Sequence, residues 1–180
     1  MSHHLVFTGV ESTFKSSLSK ALGDYLSLEV VEEYARKFLE ELHGSVDMIN
    51  FPKDLLDQIS DGQIKLQHDT GYYDPEVTSK IFDTDMLTIG VWSQDKFELF
   101  KQEYFNVPQH IIYLLCVPNN TFTPDPLRVD GDRRSELHEK YKNALKSTSN
   151  VVIELHGLTF EERFKEATSA LQQIGFTPLY

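Results

Sequence analysis

Five short apolar runs, at residues 5–8, 28–32, 80–83, 110–117 and 150–155, constrain the fold more than any other feature of this sequence. Several are apolar at successive positions rather than alternate ones, the pattern of strands covered on both faces. Helical spacing fills the intervals. Leu18, Ala21, Leu22, Tyr25 and Leu26 predict a helix after Lys15, and a second is expected from about residue 34 to 43. A third should begin with Pro52 in its first position, carrying Leu55, Ile59 and Leu66 on one face. A fourth is expected from Met86 to about Tyr104, and a fifth after Asp132 on Leu137, Tyr141 and Leu145. In the last, Thr159 and Glu162 form a capping box. Its stripe is Phe160, Phe164, Ala167, Leu171 and Ile174, and Gly175 is the stop.

Strands alternating with helices predict an α/β three-layer sandwich: a five-stranded, mainly parallel sheet with helices on both faces. A length of 180 residues fits one domain over residues 1–180. Ligands of such sheets bind beyond the carboxyl ends of the strands, so the residues just after each run are the ones to read.

The bulk chemistry narrows the partners. A formal net charge of -11 argues against broad nucleic-acid or anionic-membrane binding. It does not argue against a nucleotide, because a phosphate seat depends on local donors. The single cysteine, Cys116, excludes an internal disulfide and reads as a core thiol. With no secretory leader visible and no apolar run of membrane-spanning length, a cytoplasmic address is expected. The histidines show no metal-binding spacing. Oligomeric state is not legible.

The first run leads into Gly9-Val10-Glu11-Ser12-Thr13-Phe14-Lys15-Ser16. The phosphate-loop pattern is G-x-x-x-x-G-K-[ST], in which backbone N–H groups wrap a phosphate, the lysine reaches the outer phosphates, and the hydroxyl takes a metal. Gly9, Lys15 and Ser16 fit, and Phe14 stands where the second glycine belongs. Two readings follow: a modified phosphate loop, or a strand, turn and helix of similar outline.

Further blocks follow the later strands: Glu33-Tyr34-Ala35-Arg36; Phe82-Asp83-Thr84-Asp85 continuing to Thr88 and Val91-Trp92; Asp125-Pro126-Leu127-Arg128 with Asp132-Arg133-Arg134 and Leu137-His138; and Glu161-Glu162-Arg163-Phe164. Together with the loop, in this order, they resemble the AAA-type P-loop ATPase group that contains the ribosylnicotinamide kinase domain of NadR-type proteins. The resemblance runs from about Leu5 to about Phe164, and Phe14 departs from it.

The resemblance implies a P-loop NTPase fold, ATP and Mg²⁺ as cofactors, and a nucleotide plus a small nucleoside as ligands. It implies that Gly9, Glu11, Ser12, Thr13, Phe14, Lys15, Ser16 and Arg134 contact the nucleotide. Ser16 and Asp83 would hold the metal. Tyr34, Arg36 and Trp92 would face the acceptor, with Trp92 stacking on a cationic ring. Catalytic roles fall to Lys15, to Asp85 or Glu33 at the accepting hydroxyl, and to Arg128 and Arg133 in a lid over about residues 118–134. Each has a plainer alternative. Asp85 is equally placed to cap the helix at Met86. Glu33 and Arg36 could form a surface ion pair, Trp92 could be core, and the lid arginines could pair with Asp125, Asp130 and Asp132. Two functions stand: a kinase for nicotinamide riboside or a related nucleoside, and a nucleotide-binding protein without turnover.

Overall fold

The computed structural model describes residues 2–42, 46–119 and 131–180. Within them the chain runs β1 (His4–Thr8), α1 (Lys15–Leu26), β2 (Glu29–Val31), α2 (Tyr34–Glu41), α3 (Lys53–Asp69), β3 (Lys80–Asp83), α4 (Met86–Phe97), β4 (Ile111–Cys116), α5 (Arg134–Lys146), β5 (Val151–Leu155) and α6 (Phe160–Gln173). Short 3-10 turns lie at Gln102–Phe105 and Gly131–Arg133. The strands form one sheet in the order β2-β3-β1-β4-β5, parallel at every pairing. The α/β three-layer sandwich expected from the sequence is the fold found. Among the described residues, no helix is long and apolar enough to cross a membrane.

The sheet separates two apolar layers. Leu5, Phe7, Ile81, Ile112 and Leu114 point toward α1 and α6, where Leu18, Leu22, Ala167 and Leu171 meet them. Val6, Phe82, Tyr113 and Leu115 point the other way, onto a layer that includes Ala35, Leu39, Ile59, Leu87, Val91 and Tyr141. Strand side chains alternate between faces, so a strand that is apolar at every position needs both layers. β1 is buried throughout, as the central strand must be. Its register sets Phe7 opposite Asp83 and Thr8 opposite Leu115, which brings the loop after β1 beside the end of β3.

Several helix ends differ from expectation. α4 stops at Phe97 rather than near Tyr104. Glu98 takes a left-handed φ of 52° and its N–H closes on the Gln94 carbonyl. Ser93 Oγ then donates to the Leu99 carbonyl, and Phe100 stacks on Phe105, whose ring packs against Gly90. A continuous helix would carry Tyr104 and Phe105 out of the core they enter. Pro52 sits in extended backbone one position before α3, not in its first turn. α2 ends at Glu41, and residue 43 lies outside the described residues. Ile174, placed in the α6 stripe, is exposed. The capping box of α6 forms as expected.

His4 gives the fold a pH dependence. It is fully buried, its Nδ1 accepts from the Lys80 N–H at 3.1 Å, and its Nε2 lies 3.2 Å from the Gly71 carbonyl. That pair of bonds requires the neutral ring, since a proton on Nδ1 would oppose the Lys80 N–H. Burial, the largest cause, lowers its pKa from 6.5 to about 4. A base with a depressed folded pKa contributes stability that is complete above pH 6.5 and is lost as pH falls toward 4. Urea unfolding at pH 4.5 should show a loss of about 2 kcal/mol from this group relative to pH 7. His4→Gln can donate to Gly71 and accept from Lys80 without titrating, and should remove that part of the loss. An identical pH profile in the variant would assign the loss to other groups.

Candidate active site

The loop from Gly9 to Ser16 is shaped by three left-handed residues. Gly9 has φ 120°, and a Cβ there would lie 2.7 Å from the Cys116 carbonyl oxygen of the neighbouring strand. Ser12 has φ 55° and Phe14 φ 67°. Phe14 therefore adopts the backbone conformation that a glycine takes without strain, at a cost of about 1–2 kcal/mol. Its ring makes an edge-to-face contact with Phe160 of α6, with centroids 6.4 Å apart, and packs with the apolar layer on that side of the sheet. No side chain caps the start of α1, so its first-turn N–H groups keep the partial positive charge that suits an anion.

The loop carbonyls are held by side chains. The Val10 carbonyl accepts from Thr13 Oγ1 at 2.8 Å and from Lys15 Nζ at 2.7 Å. Arg134, at the start of α5, donates to the Ser12 carbonyl at 3.0 Å and to the Asn119 carbonyl at 2.9 Å. Arg163 of α6 is fully buried. Its Nε donates to the Gly157 carbonyl at 2.6 Å, Nη1 to Thr13 at 3.3 Å and Nη2 to Val117 at 2.5 Å. With the Val10, Ser12 and Thr13 carbonyls engaged in this way, the loop is braced from α1, α5 and α6 together.

Asp83 closes the other side. It is buried, and its Oδ1 has no partner among the described residues. Burial pushes its carboxyl up, while the nearby Ser16 side chain and the charges of Lys15 and Arg36 pull it down. A buried carboxylate oxygen lacking a donor, next to a serine hydroxyl at a phosphate loop, fits a hard divalent cation such as Mg²⁺, which takes oxygen ligands. Thr84 follows with φ 69°, rare for a β-branched residue, and its N–H donates to the Phe7 carbonyl at 3.0 Å. This strained turn sits between Asp83 and α4, next to the loop, where strain is characteristic of functional sites.

Loop and sheet end open into a cavity of about 1100 Å³, counting its mouth. Gly9 through Ser17 form one wall. Glu33, Arg36, Thr84, Thr88, Trp92 and Tyr141 are among the residues of the rest. Gly9, Glu11, Ser12, Thr13, Phe14, Lys15 and Ser16 are thus brought together with Glu33, Arg36 and Trp92 in the wall of one cavity.

Four expected site residues stand elsewhere or do other work. Asp85 is the helix cap rather than the acceptor base. Oδ1 accepts from the Leu87 N–H at 3.1 Å, while Oδ2 accepts from Tyr72 at 2.7 Å and Tyr113 at 2.6 Å. It is almost fully buried, which pushes its carboxyl up, and it does not line the cavity. Tyr34 packs its ring over Gly62 of α3 and stacks on Phe38, so it is also absent from the cavity wall. Arg133 pairs with the Asp95 carboxylate at 2.6 Å and with Glu136 at 2.8 Å, in a cleft beside α4. Arg134 holds loop carbonyls rather than facing the cavity. Arg128, with Asp125, Asp130 and most of the expected lid, lies outside the described residues.

Sequence reasoning gave no site role to Thr84, Lys96, Tyr141 or Arg163, and placed Tyr141 only in a helix stripe. Thr88, Trp92 and Lys96 recur at fourfold spacing on α4, and that is the signal that could have found Lys96.

The seating of Phe14 makes a prediction. Phe14→Gly removes the left-handed strain and also the contact with Phe160. ATP affinity by calorimetry should change by less than about threefold, since the ring packs on α6. A rise of tenfold would mean that the ring occludes the phosphate seat.

A family model described as an AAA domain matches residues 4–163. No curated protein matches the sequence. Among solved structures, a NadR protein in complex with NR superposes with a TM-score of 0.77 at 19% identity, covering 99% of this chain and 51% of that one. A NadR protein in complex with NAD and AMP-PNP gives 0.66 at 18%, covering 98% and 50%. Deoxyadenosine kinase from M. mycoides with bound dATP gives 0.67 at 11%, covering 94% and 99%. This chain spans about half the length of the NadR chains it matches. At these identities the likeness to solved structures is one of fold, and the fold is that of the P-loop NTPases. The family is carried by the match across residues 4–163: the chain belongs to the AAA domain family.

Proposed function

We propose that this chain is an ATP-dependent kinase that phosphorylates a hydroxyl of nicotinamide riboside or a related nucleoside, working in the cytoplasm. The observation that carries the reading is the braced loop from Gly9 to Ser16, set beside Asp83 and continuous with a cavity that holds Trp92 and Tyr141. The NadR protein solved with NR and the deoxyadenosine kinase share the fold, which supports the same reading.

In this reaction the acceptor oxygen forms a bond to the γ-phosphorus as the bond from that phosphorus to the β,γ-bridging oxygen breaks, and ADP departs. Glu33 lies on the cavity wall at the start of α2 and takes the hydroxyl proton. The loop amides hold the β-phosphate. The long stem of Lys15 carries its ammonium from the Val10 carbonyl to the migrating charge. Arg36 adds a second cation on the acceptor side. Ser16 and Asp83 would hold Mg²⁺, which would supply neutralisation of the phosphate charge. The faces of Trp92 and Tyr141 orient the base.

A coupled ADP-release assay with ATP, Mg²⁺ and a nucleoside panel led by nicotinamide riboside tests this. Turnover with at least one nucleoside, lost in Lys15→Met, is expected. Silence across the panel in a protein that binds ATP by calorimetry would leave a nucleotide-binding protein without turnover.

A further inference from the structure

We infer that the far end of this cavity recognises a carboxylate on the aromatic ring of the acceptor, and that Lys96 is the residue that reads it. The inference takes from the proposed function only that this cavity is the acceptor site.

Thr88, Trp92 and Lys96 all line the cavity. They are four residues apart on α4, so they share one helix face and follow each other at about 6 Å along the axis. Thr88 is one turn beyond Thr84 and the strand ends, Trp92 comes next, and Lys96 lies in the last turn. An acceptor whose hydroxyl is at the loop and whose ring stacks on Trp92 therefore points the substituent of that ring at Lys96.

A second cleft adjoins the cavity at this end, with Met48 and Lys96 lining both. The acidic group in that cleft, Asp95, is engaged by Arg133 and Lys140. At the loop end the wall carries the carboxylate of Glu33. The loop end thus holds an acid where a hydroxyl must lose a proton, with the cations Lys15 and Arg36 in the same wall, and the far end holds an ammonium where the ring ends. Lys96 also faces the negative end of the α4 dipole, but dipole compensation alone does not call for a position at the junction of two clefts.

A pyridinium riboside bearing a carboxamide is cationic at the ring and brings like charge toward Lys96. The same cationic ring bearing a carboxylate is a zwitterion with no net charge, and it offers an anionic acceptor for a charge-assisted hydrogen bond. Stacking on Trp92 is available to both, so the difference between them isolates the contact with Lys96.

Trp92 is the sole tryptophan, and its fluorescence reports ring stacking without any need for turnover. Titration of the full chain with nicotinic acid riboside and with nicotinamide riboside should show the carboxylate compound binding about tenfold tighter. Lys96→Glu should reverse the order, with its thermal melt lowered by only about a few degrees. A difference under about twofold in the wild type, an order unaffected by Lys96→Glu, or no quenching by either compound overturns the inference. The ADP-release assay on the same two compounds separates the hypotheses. Selective binding without ADP release leaves the inference standing and removes the kinase. Equal kcat/KM for both compounds, unmoved by Lys96→Glu, removes the inference and leaves the kinase.

Discussion

Replacing Arg163 with methionine should destabilise the chain by about 3–5 kcal/mol, although methionine fills most of the vacated space. The guanidinium is fully buried and spends its donors on the Gly157, Thr13 and Val117 carbonyls. Losing it strands three main-chain acceptors, and each such group costs about 1–3 kcal/mol, with less than additive totals because the loops relax. In urea the midpoint should fall by roughly 2 M, taking the slope of a small domain. Arg163→Lys should recover less than half, because an ammonium is compact and cannot span three acceptors set around a planar fork. The nucleotide site should fail before the sheet does. With Thr13 released the loop loses a brace, and ATP affinity should fall even where the variant is still folded. A midpoint within about 0.3 M of wild type would show that water replaces the guanidinium without loss.

If the chain is the proposed kinase, Lys15→Met should lower kcat/KM for the nucleoside acceptor by about a hundred- to a thousandfold, and most of the loss should fall in kcat. The ammonium lies 2.7 Å from the Val10 carbonyl, and the charge it would stabilise is not yet formed when ATP binds. Its contribution grows as charge moves onto the transferring group, and an interaction made chiefly in the transition state appears in kcat. Methionine keeps the length and apolar stem, and Thr13 keeps its own bond to Val10, so folding should be little affected. An unchanged kcat with only a higher KM for ATP would make Lys15 a binding residue and move the transition-state role elsewhere.

The sheet was legible because β1, β3, β4 and β5 are apolar at consecutive positions, and a run of that kind has few other fates. Helix starts were legible where a local bond decides them, as at Thr159 with Glu162. Helix ends were harder. Glu98 closes α4 in a left-handed turn that no glycine announces, and the cause is tertiary, the entry of Tyr104 and Phe105 into the core. At the site, the loop and Asp83 follow from spacing after a strand. The two roles weighed for Asp85 could not be separated from sequence, because its partners Tyr72 and Tyr113 come from distant segments. Arg163 looked like any helix arginine for the same reason. Its three acceptors lie on three different loops, and only the assembled sheet brings them within reach. Phe14 was ambiguous because the direction of its ring depends on a backbone conformation that its side chain disfavours.

Cys116 ends β4 directly beneath Gly9, and burial pushes its thiol up to about 11. Alkylating reagents need both a thiolate and a path to it, so at neutral pH this sulfur reacts only when the seam between the sheet and its α1–α6 layer parts. The molecule therefore contains its own clock for that parting, in the one cysteine it has. Maleimide capture should run at the pace of the seam's opening, and a nucleotide seated above Gly9 should slow it by the factor by which the ligand holds the seam shut.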